Sequence, residues 1–332
     1  MSADLFWQAV AQTQSQWQQL AIHEVMQAIN QLLHVHYPHL AAELQGGKVT
    51  AVYKLVITAH GATEHFEDLM KLTQAAPKLS MFPEIVAFRA RTPMMEFGMK
   101  MDNFSLAPSD ILVHHYAYGG RVGLQLSFSK AIPSDMQDHA KNMTFILLDH
   151  ALGEYDFAIK IGPVEFIDGA LDTPGVTLAN FAPVFDRFWC EQLGHTALYP
   201  DGEHHWVAFR IVSQTDPDDK LLVQRNESAM ALVGRADMLW RLEIEIALKN
   251  KSELDEVCEF EDQLDTLFRQ NQLGIGSQIS LQGNLRCMNW QVSDTAAATS
   301  MAEQLASQFK HLELAIRSEF DPQWQDYLRW VS

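Results

Sequence analysis

The sequence predicts an α+β fold, and three observations carry that prediction. Segments with strict period-two alternation, such as Val122, Leu124, Leu126 and Phe128, are interspersed with segments whose apolar residues recur at helical spacing. Glycine-led pairs, Gly119–Gly120 and Gly283–Asn284, sit where tight hairpin turns need positive φ. Both halves also run in the same order of helix, strand, turn, strand, helix and strand. With a strand placed before the first helix, each half becomes a β-α-β-β-α-β, or ferredoxin-like, module with helices on one face of an antiparallel sheet. Additional helices precede the first module.

Taken in chain order, residues 4–35 read as two helices. Leu5, Phe6, Ala9 and Val10 mark one stripe, Val25, Ile29, Leu32 and Leu33 a second, and Pro38 stops the latter. A hairpin follows, from Leu40–Leu44 through Gly46–Gly47 to Val49–Thr58. Residues 62–75 read as a helix with Glu64, Glu67 and Asp68 near its positive end. Glu84–Arg91 reads as a strand, and residues 111–129 as a hairpin about Gly119–Gly120. Ser134 and Gln137 have capping-box spacing and open a helix through Ala151 that Gly153 ends. Tyr155–Ile167 reads as a strand broken at Gly162–Pro163.

Glycine and proline punctuate residues 169–204, from Gly169 and Pro174 to Pro200 and Gly202. This segment reads as a linker, packed down by Phe181, Phe185, Phe188 and Trp189. The predicted domains are therefore 1–168 and 205–332. Trp206–Val212 and Met238–Leu248 read as strands, the latter with Met238, Trp240, Leu242, Ile244 and Ile246 on one face. Ser252 opens an acidic helix to about Gln272, with Leu254, Val257, Leu264, Leu267 and Phe268 inward and Gly274 as its cap. Ile275–Leu281 and Leu285–Val292 form a hairpin. Asp294 caps a helix to about Phe309, Leu312–Arg317 is the last strand, and a short helical tail follows.

The chain of 332 residues is 47% hydrophobic and 20% charged, enough for a substantial core. Its net charge of −18 argues against general nucleic-acid binding and against docking on anionic lipid. No window reads as a membrane span or secretory signal. Cys190, Cys258 and Cys287 form no CxxC pair, so the expected setting is cytoplasmic with buried thiols.

From Trp206 onward the chain resembles the bacterial family described as domain of unknown function 695. The likeness is carried by LWRLEIEIAL, the acidic helix around Glu259-Phe260-Glu261-Asp262, the hairpin ending in Trp290, and the terminal Asp321-Pro322-Gln323-Trp324-Gln325-Asp326-Tyr327. The same ending also resembles the RraB family of ribonuclease E regulators, although the second hairpin strand reads Cys287-Met288-Asn289-Trp290 where that family is richer in aromatics. The first half, from Phe6-Trp7 through LLDHALGEYDFAIKIGPVEF, resembles an N-terminal region of uncharacterised bacterial proteins. The RraB likeness implies a ferredoxin-like fold and an inhibitory protein–protein role; no catalytic residues come with it.

Local chemistry is sparse. His34, His36 and His39 form the densest histidine cluster and the candidate metal ligands, read against histidines that simply suit a helix C-terminus. His23-Glu24 begins like a zinc-protease helix, but Gln27 stands where the second histidine belongs. His114–His115 and His204–His205 are adjacent pairs whose members point to opposite strand faces. Gly274-Ile275-Gly276 lacks a third glycine and precedes a strand, so it is no dinucleotide loop. Asp216, Asp218 and Asp219 read as a solvated turn.

The charge distribution stands out. Residues 1–168 hold 11 basic and 17 acidic groups; residues 169–332 hold 13 and 25. The expectation is a non-enzymatic binding or regulatory module whose acidic C-terminal surface steers a basic protein partner, with no cofactor. Its contact candidates are Glu253, Glu256, Glu259 and Asp262 on the acidic helix, together with Trp324 and Tyr327, which lie three apart on the tail helix and read either as packed against the sheet or as a partner-facing aromatic edge. The alternative is an enzyme with its site in a cleft between the halves.

Overall fold

The computed structural model describes residues 3–17, 19–46, 53–94, 97–101, 103–168, 175–212 and 220–331. Gly47 of the expected first turn, Gly169 and Pro174, and the Asp216–Asp219 turn lie outside them. The fold is α+β. The chain divides into two compact units, one of Met1–Tyr116 with Gly123–Val184 and one of Ala117–Val122 with Phe185–Ser332.

The first unit begins with helices α1 (Ala3–Trp17) and α2 (Ile22–His36), which bury Phe6, Trp7, Val10, Val25, Ile29 and Leu33. Strands β1 (Ala41–Gly46) and β2 (Tyr53–Thr58) pair antiparallel. Helix α3 (Phe66–Gln74) crosses to β3 (Glu84–Ala87), which runs parallel to β2. The Asn30 amide on α2 takes both backbone groups of Ala42, at 2.9 and 2.8 Å, and so satisfies the outer edge of β1. The indole of Trp7 donates to the Leu72 carbonyl at 2.8 Å, tying α1 to α3.

A short ribbon follows, of β4 (Met99–Met101) and β5 (Phe104–Leu106), and then the hairpin of β6 (Ile111–Tyr118) and β7 (Arg121–Phe128) about Gly119–Gly120. Helices α4 (Gln137–Leu152) and α5 (Glu154–Lys160) lead into β8 (Ile161–Phe166). Strand β9 (Val176–Thr177) precedes α6 (Leu178–Arg187), whose last residues belong to the second unit. Phe188–Gln192 continues as a π-helical turn.

Three expectations for this half are corrected. Its described strands fall into sheets ordered β1-β2-β3, β4-β5 and β8-β7-β6-β9, so they do not assemble as one ferredoxin-like sheet. Residues 154–160 are helical, with only 161–166 extended. Ser134 starts a 3-10 turn without capping α4 through its side chain. The cause of the second departure is Glu154, which is fully buried. Its Oε1 accepts the N–H groups of Ala59 and Gly61 at 2.9 and 3.1 Å, and its Oε2 accepts that of Arg89 at 3.0 Å. This demand fixes the start of α5 from residues 65 to 95 positions away.

The second unit holds β10 (Trp206–Val212), β11 (Lys220–Asn226), β12 (Trp240–Ala247), α7 (Lys251–Gln270), β13 (Gly274–Gln282), β14 (Leu285–Val292), α8 (Thr295–Ala306), β15 (Ala315–Phe320) and α9 (Gln325–Leu328). One antiparallel sheet runs β10-β11-β13-β14-β12-β15. From β12 to β15 the order is β-α-β-β-α-β. Leu242, Ile244, Met288, Trp290 and Val292 on one sheet face close a core with Val257, Phe260, Leu264 and Phe268 of α7 and Ala298 and Ala302 of α8. Asp294 caps α8 as expected, accepting the Ala297 N–H at 3.0 Å. At the end of α7 it is Gln272, at φ +50°, that takes the left-handed position predicted for Gly274. Gly274 instead permits close approach, since a Cβ there would lie 2.7 Å from Val292 and 2.8 Å from the Gln291 carbonyl. Among the described residues, no helix is long and apolar enough to cross a membrane.

Glu154→Ala strands one buried and two partly buried N–H donors and is expected to destabilise the first unit by roughly 3 kcal/mol, whereas Glu154→Gln, which keeps an acceptor oxygen, costs less. Urea unfolding followed by circular dichroism checks this; equal midpoints for wild type and Glu154→Ala would count against the clamp.

Candidate functional site

Helix α7 positions the candidate site. Its inward stripe of Val257, Phe260, Leu264 and Phe268 fixes the rotation of the helix on the sheet. The acids therefore fall into two groups. Glu261 and Asp265, next to the stripe, lean in over β13 and β14, while Asp255, Glu259 and Asp262 are exposed.

The sheet beneath is irregular. A bulge interrupts the β13–β14 register between Gly276 and Gln278. Both backbone groups of Gly276 are taken by side chains. Its N–H donates to Asp265 Oδ1 at 3.1 Å, and its carbonyl accepts from Asn226 Nδ2 at 2.6 Å. A Cβ at this position would lie 3.1 Å from Asp265 Oδ1 and 3.3 Å from Trp290 Nε1, so a glycine suits this crossing.

A pocket of about 170 Å³ opens here, lined among others by Trp206, Gln224, Asp262, Asp265, Gly276 and Trp290. Trp290 is 1% exposed, and its indole N–H has no hydrogen-bond partner among the described residues. An unmatched buried donor of this kind is costly and marks a place where an acceptor belongs. Glu261 pairs with Arg286 at 2.6 Å, and burial lifts its carboxyl above the usual range against the pull of that arginine. Asp265 pairs with Arg269 at 3.3 Å. Asp262 has no ion pair among the described residues.

His204 borders this network. Asn226 Nδ2 lies 3.0 Å from its Nδ1. The Asn226 amide is oriented by the Ser228 N–H and the Gly276 carbonyl and so presents a donor to Nδ1, while Arg269 Nη1 lies 3.4 Å from Nε2. Burial, joined by Arg269, holds His204 below its ordinary pKa against the attraction of Asp265, 3.9 Å away. The ring is neutral at pH 7. His205 turns to a different partner, Glu227, at 2.8 Å.

The chain matches no family model, no curated protein and no solved structure.

The sequence-derived candidates divide. Glu259 and Asp262 are exposed, and Asp262 lines the pocket. Glu253 accepts the Lys249 N–H at 2.7 Å, and Glu256 pairs with His311. For Trp324 and Tyr327 the packed reading holds and the partner-facing one is corrected, because both are interior. The Trp324 indole donates to the Met238 carbonyl and the Tyr327 hydroxyl to the Asn226 carbonyl, each at 2.8 Å, and the two rings are 0% and 1% exposed. His34 and His36 occupy the last turn of α2, and His39 stacks on His65 with centroids 4.1 Å apart. Among the described residues, the one group of metal-ligating atoms within 4.8 Å is Glu243, Glu245 and Cys287, which includes none of those three histidines. Arg241 and Arg317 already pair with its glutamates, and burial together with those carboxylates pushes the Cys287 thiol up to about 12.

Sequence reasoning missed Asn226, Gly276 and Trp290 and gave His204 no role at this site. The available signal was Gly274-Ile275-Gly276 opening a strand, since glycine inside a strand marks a bulge or a close backbone approach.

The thiols supply a direct check. Cys190 is exposed, whereas burial raises the pKa of both Cys258 and Cys287. Ellman's reagent at pH 8 is expected to label Cys190 first, with Cys258 and Cys287 following fully only in denaturant. Three equal rates in native protein would contradict the described packing.

Proposed function

We propose that the chain is a cytoplasmic, non-enzymatic binding module that takes a basic protein partner at the α7 pocket of its second unit. In this reading a lysine or arginine of the partner brings its cationic head to Asp262 and Asp265, with Trp206 offering an aromatic face at the rim. A carbonyl of the same partner accepts from the Trp290 indole. The observation that carries the reading is the meeting, in one small pocket, of the α7 carboxylates with a buried indole N–H that lacks a partner. The surrounding negative charge steers the encounter. We read the β12–β15 segment as a ferredoxin-like module, and its likeness to the domain of unknown function 695 and RraB families supports a regulatory role through protein contact.

The test is calorimetric titration of a short arginine-containing peptide amide against the full chain. Removing two of the three pocket carboxylates, by Asp262→Asn with Asp265→Asn, is expected to weaken binding by about tenfold or more, while Glu253→Gln with Glu256→Gln changes it by only about twofold. Raising salt from 50 to 300 mM is expected to weaken the wild-type interaction as well. Affinity that ignores both salt and the pocket substitutions would sink the proposal.

A further inference from the structure

The first unit contains a separate constellation of its own. Strands β2 and β3 run parallel, in the register Lys54↔Glu84 to Ile57↔Ala87, so their carboxyl ends open on the same side. Chain ends of this kind are a common place for ligand sites in sheets with parallel strands. After β2 the backbone turns through His60 at φ +53° and Gly61 at φ +80°; after β3 it turns through Phe88 at φ +66°. Two non-glycine residues in the left-handed region are strained, and such strain tends to gather at functional sites. The buried Glu154 carboxylate holds both turns in place through its three backbone hydrogen bonds.

These turns present Arg89 to a cleft of about 510 Å³. Its guanidinium is held in a fork by Glu43, through Nε at 2.9 Å and Nη2 at 2.7 Å, and by Asp149 through Nη1. Part of the cleft's lining is apolar. It comprises Phe145 and Ile146 on α4, 39% and 44% exposed, and Phe157 on α5.

The charges around Arg89 do not cancel. One arginine faces the carboxylates of Glu43 and Asp149, with Glu154 buried behind it. An incoming anion would have to take Arg89 from two carboxylates that repel it. An incoming cation meets the Asp149 oxygen that Arg89 leaves open, with aromatic rings beside it.

We propose that this cleft is a second binding site, for a small primary amine with an apolar tail, its ammonium at Asp149 and Glu43 and its tail along Phe145 and Phe157.

Several titratable groups face Asp149: Arg89 after β3, Glu43 on β1, His60 after β2, and Glu154 on α5, with His150 next to it on α4. Burial, reinforced by Glu154 and Glu43 and opposed by Arg89, raises the Asp149 carboxyl to about 6. Burial and Arg89 keep His150 below its ordinary range, so that ring is neutral at pH 7. Asp149 becomes anionic as pH rises through about 6, while a simple alkylamine stays protonated well above that. Amine affinity therefore increases from pH 5 to pH 7.5.

The experiment titrates hexylamine, methylamine and hexanoate into the full chain carrying Asp262→Asn and Asp265→Asn, which silences the pocket of the second unit, with binding followed by nitrogen-15 NMR shifts of the first unit. Hexylamine is expected to bind about tenfold or more tightly than methylamine, since its extra methylenes leave water, and more tightly than hexanoate. Its affinity should fall about tenfold between pH 7.5 and pH 5. Asp149→Asn should flatten that pH dependence, with circular dichroism confirming the fold. Phe145→Ala, at an exposed position, should narrow the advantage of hexylamine over methylamine. The proposal is overturned if hexanoate binds as well as hexylamine, or if hexylamine affinity is indifferent both to pH and to Phe145→Ala.

Discussion

The approach of α7 to the β13–β14 ribbon is the contact on which the second unit turns, and it depends on residue 276 having no side chain. With a bare Cα there, Asp265 reaches the Gly276 N–H from the helix while Asn226 takes its carbonyl from β11. A bulge normally leaves backbone groups without ladder partners, and here side chains supply them. The same absence of a Cβ makes room for the Trp290 indole, whose Nε1 would lie 3.3 Å from one. The bulge, the pocket and the orientation of α7 are thus one packing solution.

Both units bury arginines among carboxylates, and in neither case is this chiefly a matter of stability. Removing ion pairs from water offsets most of their mutual attraction. What the pairs determine is position. Arg89 holds Glu43 and Asp149 at the end of the parallel strands, and Arg286 and Arg269 hold Glu261 and Asp265 over the bulge. The net charge of −18 is accordingly structured. Some acids are fixed in place by arginines, while others, such as Asp262 and Glu259, remain exposed on α7.

Much of the second unit was legible because its signals are local. The alternation in β12, the turn at Gly283 and the Asp294 cap each depend on residues within a few positions of one another. The failures share the opposite character. Tyr155, Phe157 and Ile159 alternate like a strand, yet the segment is helical because Glu154 answers to backbone groups at residues 59, 61 and 89. Trp324 and Tyr327 read as neighbours on the tail helix, but that helix starts at Gln325 with Trp324 just before it in the left-handed region, and their spacing says nothing about whether that side looks inward or outward. Within the first unit the strands themselves were mostly legible, while their division among separate sheets rests on long-range pairing. At the candidate site the acids were conspicuous as a run, whereas Asn226, Gly276 and Trp290 come together from three different strands.

Taken by itself, the sequence determined the α+β class, most element positions, the hairpin turns at Gly119–Gly120 and Gly283–Asn284, the acidic bias of the second half and the absence of familiar nucleotide, zinc-protease and disulfide motifs. Periodicity, turn sterics and composition act over short distances, so they can be read without a fold. Only the tertiary structure decided which acids turn inward, which aromatics are interior and where Arg89, Glu43 and Asp149 converge. Those outcomes follow from desolvation and hydrogen-bond satisfaction among groups separated by tens of residues, and no local pattern encodes them.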